Sequence, residues 1–285
     1  IENSSLEVLG FRRILSVTST TQTLIKFFKK FETFYIYLNS YSESITYNPF
    51  FSEEIVKIID KYGLVRDDAS SELSVIRKRL KHVKGKINSS FLKSLSTYIK
   101  QDYLDDIKES IVDNRRVLAV KAMYRRKIRG TVLGNSKTGS IVYMEPQETL
   151  EYSNELSNLL YEEQEEIKKI LKDLTEYFRP YSSLLKLYQD YLTTIDVLYA
   201  KAKFACKIEG VLPLLSNKRR LYLKNAYHPL LLLANKKRKE KTFPQTIELN
   251  SENRIIVISG PNAGGKSITL KTVGLLQVML QSGLL

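Results

Sequence analysis

"RIIVISGPNAGGKSITLKTVGLLQVMLQSGLL", Arg254–Leu285, carries the most specific pattern in the chain. Gly260, Gly265, Lys266 and Ser267 satisfy G-x-x-x-x-G-K-[ST], a loop whose backbone N–H groups wrap phosphate oxygens while its lysine reaches the terminal ones. Such a loop needs a buried strand before it and a helix after it. The β-branched run Ile255, Ile256, Val257 and Ile258 predicts a strand buried on both faces. Ile268 to Leu280 places apolar residues at helical spacing, so a helix N-terminus would aim free N–H groups and positive dipole at an anion. The cofactor-binding candidates are Gly260, Pro261, Asn262, Ala263, Gly264, Gly265, Lys266, Ser267 and Ile268. Lys266 is the catalytic candidate, stabilising phosphate charge on ATP, and Ser267 is the candidate Mg ligand.

Upstream, hydrophobic spacing predicts long helices. Residues 19 to 38 and 52 to 62 read as two of them, with Ser52 as a cap and Gly63 just past the second end. "NPFF" marks the loop between them. Leu73, Ile76, Leu80, Val83 and Ile87 then recur at 3-4-3-4 spacing, a narrow seam on a helix from about Ser70 to Lys100. Leu160, Ile167, Leu171, Leu174 and Phe178 give a second seam on a helix from about Thr149 to Phe178. Arg77, Lys78, Arg79, Lys81, Lys84 and Lys86 flank the first seam and are expected to face Glu162, Glu163, Glu165 and Glu166 of the second. A third helix opens at Pro180 and ends near Gly210, its seam running Leu184, Tyr188, Tyr191, Ile195, Leu198, Ala202 and Ala205.

Between the two seams, Asn114 to Pro146 changes character. "RVLAVKAMY", "GTVLG" and "SIVYM" are strand-like, and "NSKTGS" supplies a turn. This small β insert concentrates Lys121, Arg125, Arg126, Lys127 and Arg129, the nucleic-acid candidates. Two readings of the patch stand together: phosphate contacts, or a solvated strand edge whose cations prevent pairing. The run "KKRKEK" at 236 to 241 reads as a solvated loop.

Composition sets broad bounds. The 285 residues are 43% hydrophobic, enough for a real core, and 45 Lys and Arg against 31 Asp and Glu leave a net charge of +14. A polyanionic partner follows: DNA, RNA, a ribosome or an anionic membrane surface. One cysteine, Cys206, excludes an internal disulfide; it falls on the third helix seam and is expected to be a buried, inert thiol. A reducing cytoplasmic compartment is the simplest expectation, and no apolar run reaches membrane-spanning length. Because the chain starts at Ile1 and only eighteen residues follow Ser267, an internal segment of a longer protein is expected. The fold class is therefore mainly α with a small β insert: a core bundle and an antiparallel coiled-coil arm (1–210), then a truncated α/β P-loop ATPase domain (211–285).

"GPNAGGKSITLKTVGL" resembles the ATPase segment of the MutS family, and "TLKTVGLLQVMLQSGL" is similar to its second bacterial branch, which lacks a mismatch-reading domain and usually ends in a nuclease domain. "VRDDASSELSVIRKRL", "DNRRVLAVKAMYRRKIRGTVLGNSKTGSIVYMEPQETLEYSNEL", "DVLYAKAKFA" and "LKNAYHPLLL" resemble that branch in order, covering roughly residues 64 to 285. The resemblance implies core and lever helices, a reduced clamp at the β insert, a homodimer with composite ATP sites, and ATP-coupled clamping on branched or duplex DNA that suppresses recombination. Some relatives act on stalled ribosomes, so a ribosome or rRNA partner is the alternative. His228 in "AYHPLL" resembles the Arg-His-Pro element of the family, with Tyr227 in place of the arginine. There it lies near the nucleotide base with "TFPQ", so Phe243 could stack on adenine; a turn histidine and a core phenylalanine are the structural readings.

Overall fold

The computed structural model describes residues 4–260 and 265–284. Among them the chain is mainly helical, with long helices and two small antiparallel sheets. It divides into two compact units, Ile1–Tyr188 and Gln189–Leu285.

The first unit opens with α1 (Val8–Lys30), α2 (Ile36–Glu43) and α3 (Phe50–Ile58). The helix expected at 19 to 38 thus starts earlier and breaks after Lys30. In α3, Pro49 takes the N-cap position with helical φ of −71°, so Phe50 and Phe51 of "NPFF" are helical rather than loop. Ser52 is not the cap; it sits one turn in and donates to the Pro49 carbonyl at 2.8 Å. Gly63 adopts φ +84° in the turn beyond, as a residue without Cβ can. There the Asp60 carboxylate accepts from the N–H groups of Tyr62 and Leu64, each at 2.9 Å.

Two long helices follow, α4 (Ser71–Lys100) and α5 (Gln147–Phe178), and they run antiparallel. Ser70 caps α4 by accepting from Leu73 N–H at 3.0 Å. Ser70 also donates to Glu166 (2.9 Å), Arg77 pairs with Glu163 (2.7 Å) and Arg79 with Glu155 (3.3 Å), while Ser90 donates to the Glu148 carbonyl (3.0 Å). Partner numbers on α5 fall as those on α4 rise. The expected α4 seam is buried at Leu73, Leu80 and Val83, and Ile76 and Ile87 pack half-buried beside it. On α5 Leu171, Leu174 and Phe178 of the expected seam are buried, but toward the N-terminus it shifts: Leu159 is buried, Leu160 is 40% exposed, and the inward stripe there runs Tyr152, Leu156, Leu159. The next inward position is Glu163, a carboxylate answered by Arg77, which a search for apolar spacing passes over. At the base, Phe11 and Phe51 meet Phe178 with ring centroids 5.9 and 5.0 Å apart.

Between α4 and α5 stands a four-stranded antiparallel sheet in the order β1-β2-β4-β3, formed by β1 (Leu104–Val112), β2 (Arg115–Lys121), β3 (Gly130–Asn135) and β4 (Ile141–Pro146). It begins ten residues before the expected Asn114, because β1 is a strand that sequence reading missed. Asp113 and Asn114, both at positive φ, close the β1–β2 hairpin, and the expected turn at "NSKTGS" closes β3–β4 with Gly139 at φ +69°. Leu118, Val120, Val142 and Met144 pack on Phe91 of α4. Glu145 of β4 is buried and takes an ion pair from Arg115 of β2 (2.8 Å) and a hydrogen bond from Ser153 of α5.

A 3₁₀ turn (Arg179–Tyr181) leads into α6 (Ser182–Ile208), within which the two units meet in sequence. Tyr188 and Tyr191 on its expected seam are buried, but Leu198 is 43% exposed and Ala202 is exposed. Cys206 is exposed too, contrary to the buried thiol expected, whereas Ile208, two residues on, is buried.

The second unit continues with β5 (Leu221–Ala226), α7 (Pro229–Arg238), β6 (Gln245–Leu249) and α8 (Lys266–Gln281); β5 and β6 pair antiparallel. Lys236 to Arg238 form the last turn of α7, so only the second half of the basic run is a loop. Lys201 of α6 donates to the Ser282 carbonyl just past α8 at 2.6 Å. The expected strand at 255–258 is not formed: its side chains are 84%, 47%, 86% and 39% exposed, in order, and no ladder bonds join it to β5 or β6. A strand buried on both faces needs a paired neighbour and cover above and below, and the described residues supply neither. Val211, Leu212, Leu214 and Leu215 are likewise exposed.

Candidate functional site

Of the phosphate-loop candidates, Gly260, Gly265, Lys266, Ser267 and Ile268 are described, while Pro261, Asn262, Ala263 and Gly264 lie outside the described residues. The following helix forms as expected. Gly265 is its N-cap at φ +85°, a left-handed conformation that any side chain would strain. It offers no capping side chain, so among the described residues no side chain takes the first amides of α8, the groups that a helix start leaves without an intrahelical acceptor. Thr269 closes the turn instead, its N–H and hydroxyl both reaching the Gly265 carbonyl at 3.0 and 3.1 Å. Deeper in α8, Thr272 and Met279 are the buried residues. Gly260 has φ +139°, and the Lys266 ammonium donates to its carbonyl. The ammonium therefore lies across the two ends of the loop. A cation, uncapped amides and a glycine cap make a donor set suited to an anion.

The cations of the β insert separate into different environments. Lys121 closes β2 and is committed to Asp102, to its carboxylate at 3.0 Å and its carbonyl at 3.2 Å; the bond to that carboxylate raises the lysine's pKa. "AMY", expected as the end of the strand-like "RVLAVKAMY", instead opens a 3₁₀ helix (Ala122–Lys127). It carries Arg125, Arg126 and Lys127 between β2 and β3 and leaves all three exposed. Lys127 lies 5.8 and 5.9 Å from the ring centroids of Tyr103 and Tyr124, which stack at 4.7 Å, with Tyr98 behind Tyr103 at 6.4 Å. Arg129 is exposed, and its carbonyl accepts from Gln147 N–H at the start of α5. The structure thus groups Arg125, Arg126 and Lys127 and draws Lys121 into a pair. Tyr98 and Tyr103 were missed in the sequence, since they sit at a helix end and a loop with no shared periodicity.

His228 is the N-cap of α7, accepting from Leu231 N–H at 3.3 Å, and Phe243 is 72% exposed with Lys241 5.3 Å from its ring centroid. The core reading of Phe243 is corrected. Among the described residues no group of three or more His, Cys, Asp or Glu could hold a metal, and no helix is long and apolar enough to cross a membrane.

No protein-family model matches the chain. It is similar to the endonuclease MutS2 of Staphylococcus aureus, 33% identical over 283 residues, which is 95% of this chain and 38% of that protein. It is also similar to the endonuclease MutS2 of Geobacillus sp. (strain WCH70), 31% identical over 278 residues, 98% of this chain and 35% of that protein. The chain therefore spans little more than a third of the length of these relatives.

Proposed function

We propose a function from one premise: the chain belongs to the MutS family, in the branch of these MutS2 relatives. It is part of an ATP-dependent DNA-binding enzyme in which nucleotide state is coupled, through the paired helices, to clamping on branched or recombining duplex DNA, with suppression of recombination as the outcome. The protein acts as a homodimer. The observation that carries nucleotide binding is the uncapped N-terminus of α8 with the Lys266 ammonium beside it. Lys266 would exchange the Gly260 carbonyl for the β- and γ-phosphates, the amides from Asn262 to Ser267 would cradle the phosphates, and the Ser267 hydroxyl would hold Mg. ATP, when bound, supplies a hydrolysable phosphoanhydride, and Mg supplies charge that offsets its oxygens. Supporting DNA contact, Arg125 and Arg126 project from the insert carried by α4 and α5. Cleavage is said of the relatives by their name and is assigned to no residue here.

Titration of the chain with a fluorescent ATP analogue and Mg tests the reading. Binding is expected, weakened at least tenfold by Lys266→Ala, with hydrolysis at the uncatalysed rate. Absence of binding, or binding indifferent to Lys266, would overturn it.

A further inference from the structure

We infer that the open end of the β5–β6 ladder is a second oxyanion site, taking phosphate groups through Lys218, Arg219 and the turn that follows β6. Leu221 pairs with Leu249, so the residues just before β5 and just after β6 are brought to the same end of the ladder. There Lys218, Arg219, Arg220, Asn250 and Ser251 line a cavity of about 380 Å³. Its floor is preorganised by local hydrogen bonds. The Asn250 carboxamide oxygen accepts from Glu252 N–H (2.9 Å) and Asn253 N–H (2.7 Å), and Lys218 N–H donates to the Ser216 hydroxyl (3.1 Å). With its oxygen so used, Asn250 has only its NH₂ group to offer a ligand.

Charge on the rim is unevenly spent. Arg220 pairs with Glu248 at 2.8 Å and lies 5.0 Å from the Tyr222 ring centroid. Arg254 donates from Nε to the Ser251 carbonyl at 2.9 Å. Lys218 and Arg219 make no ion pair among the described residues, and adjacent cations held together at a concave rim gain most from an anion that both can reach. Amide, ammonium and guanidinium donors together suit phosphate oxygens, whether of free phosphate and pyrophosphate or of the diesters of a nucleic-acid backbone. The site stands on the ladder geometry alone and is independent of the glycine loop.

The intact chain and a Lys218→Ser/Arg219→Ser variant are compared in two titrations. Inorganic pyrophosphate is followed by amide NMR shifts, and a short labelled duplex by anisotropy over a series of salt concentrations. In the wild type, pyrophosphate is expected to shift the Lys218–Arg220 and Asn250–Ser251 amides, and the variant to lose those shifts. The slope of log affinity for the duplex against log salt is expected to fall by about 1.8, since each phosphate contact contributes about 0.9. Loss in the first titration alone identifies a free anion as the ligand, and loss in the second alone identifies the backbone. Equal behaviour of wild type and variant in both overturns the inference. If the double variant fails to fold, Lys218→Gln and Arg219→Gln singly are expected to give about half the slope change each. Lys266→Ala is expected to leave both responses intact; if it abolishes them, the anion sits at the glycine loop and the inference fails.

Discussion

At the scale of single residues, Gly130 shows how closely β3 and β4 approach. A Cβ built there would lie 2.2 Å from the Glu145 carbonyl oxygen, a backbone atom that cannot swing aside. Gly130→Ala is expected to destabilise the protein by about 1–3 kcal/mol in urea unfolding, the range for overpacking. Tyr188 gives a pH-dependent counterpart. Its hydroxyl donates to the Thr46 carbonyl (3.1 Å) and accepts from Asn48 N–H (2.8 Å), and burial raises the phenol pKa above its ordinary 10.0. A raised folded pKa means that the unfolded chain loses this proton first, so the contribution is complete below pH 10.0 and is lost as pH rises through the folded value. Tyr188→Phe is expected to cost about 1–2 kcal/mol at neutral pH and to flatten the alkaline decline, measured by denaturation across that range.

Among elements, the paired helices test the seam correction directly. Leu159 is 1% exposed and Leu160 is 40% exposed, so Leu159→Ala is expected to cost about 2–5 kcal/mol and Leu160→Ala under about 1 kcal/mol. Equal losses would restore the seam that spacing alone assigned. The contrast explains what the sequence could reveal. α4 was legible from its apolar interval, because Leu73 through Ile87 recur at a spacing that acts locally, whereas the Ser70 cap emerged only in the structure. β1 was not, because "LDDIKESIV" is rich in charge and its strand character comes from pairing with β2. The opposite error came at 255–258, where β-branched residues promised a strand that has no ladder partner here. At the candidate site, the residue types and the helix after them could be read from the letters. The position of the Lys266 ammonium and the pairing of Lys121 with Asp102 could not, since both depend on backbone placed by turns.

For the whole molecule, the two units differ in how much apolar surface they cover. α4 shares one buried cluster with the insert and another with α5, whereas Val211, Leu212, Leu214, Leu215 and Ile255 to Ile258 stand exposed. Hydrogen exchange is expected to show strong protection through 73–178 and weak protection across 211–260; uniform protection through the second region would contradict this packing. The buried Glu145 has a mechanical consequence. One carboxylate grips Arg115 of β2 and Ser153 of α5 at once, so the sheet is keyed to its supporting helix by charge as well as by apolar packing. Torque applied along the helix pair would turn the insert as cargo bolted to an axle, and slippage between them would require stripping a desolvated anion of its partners.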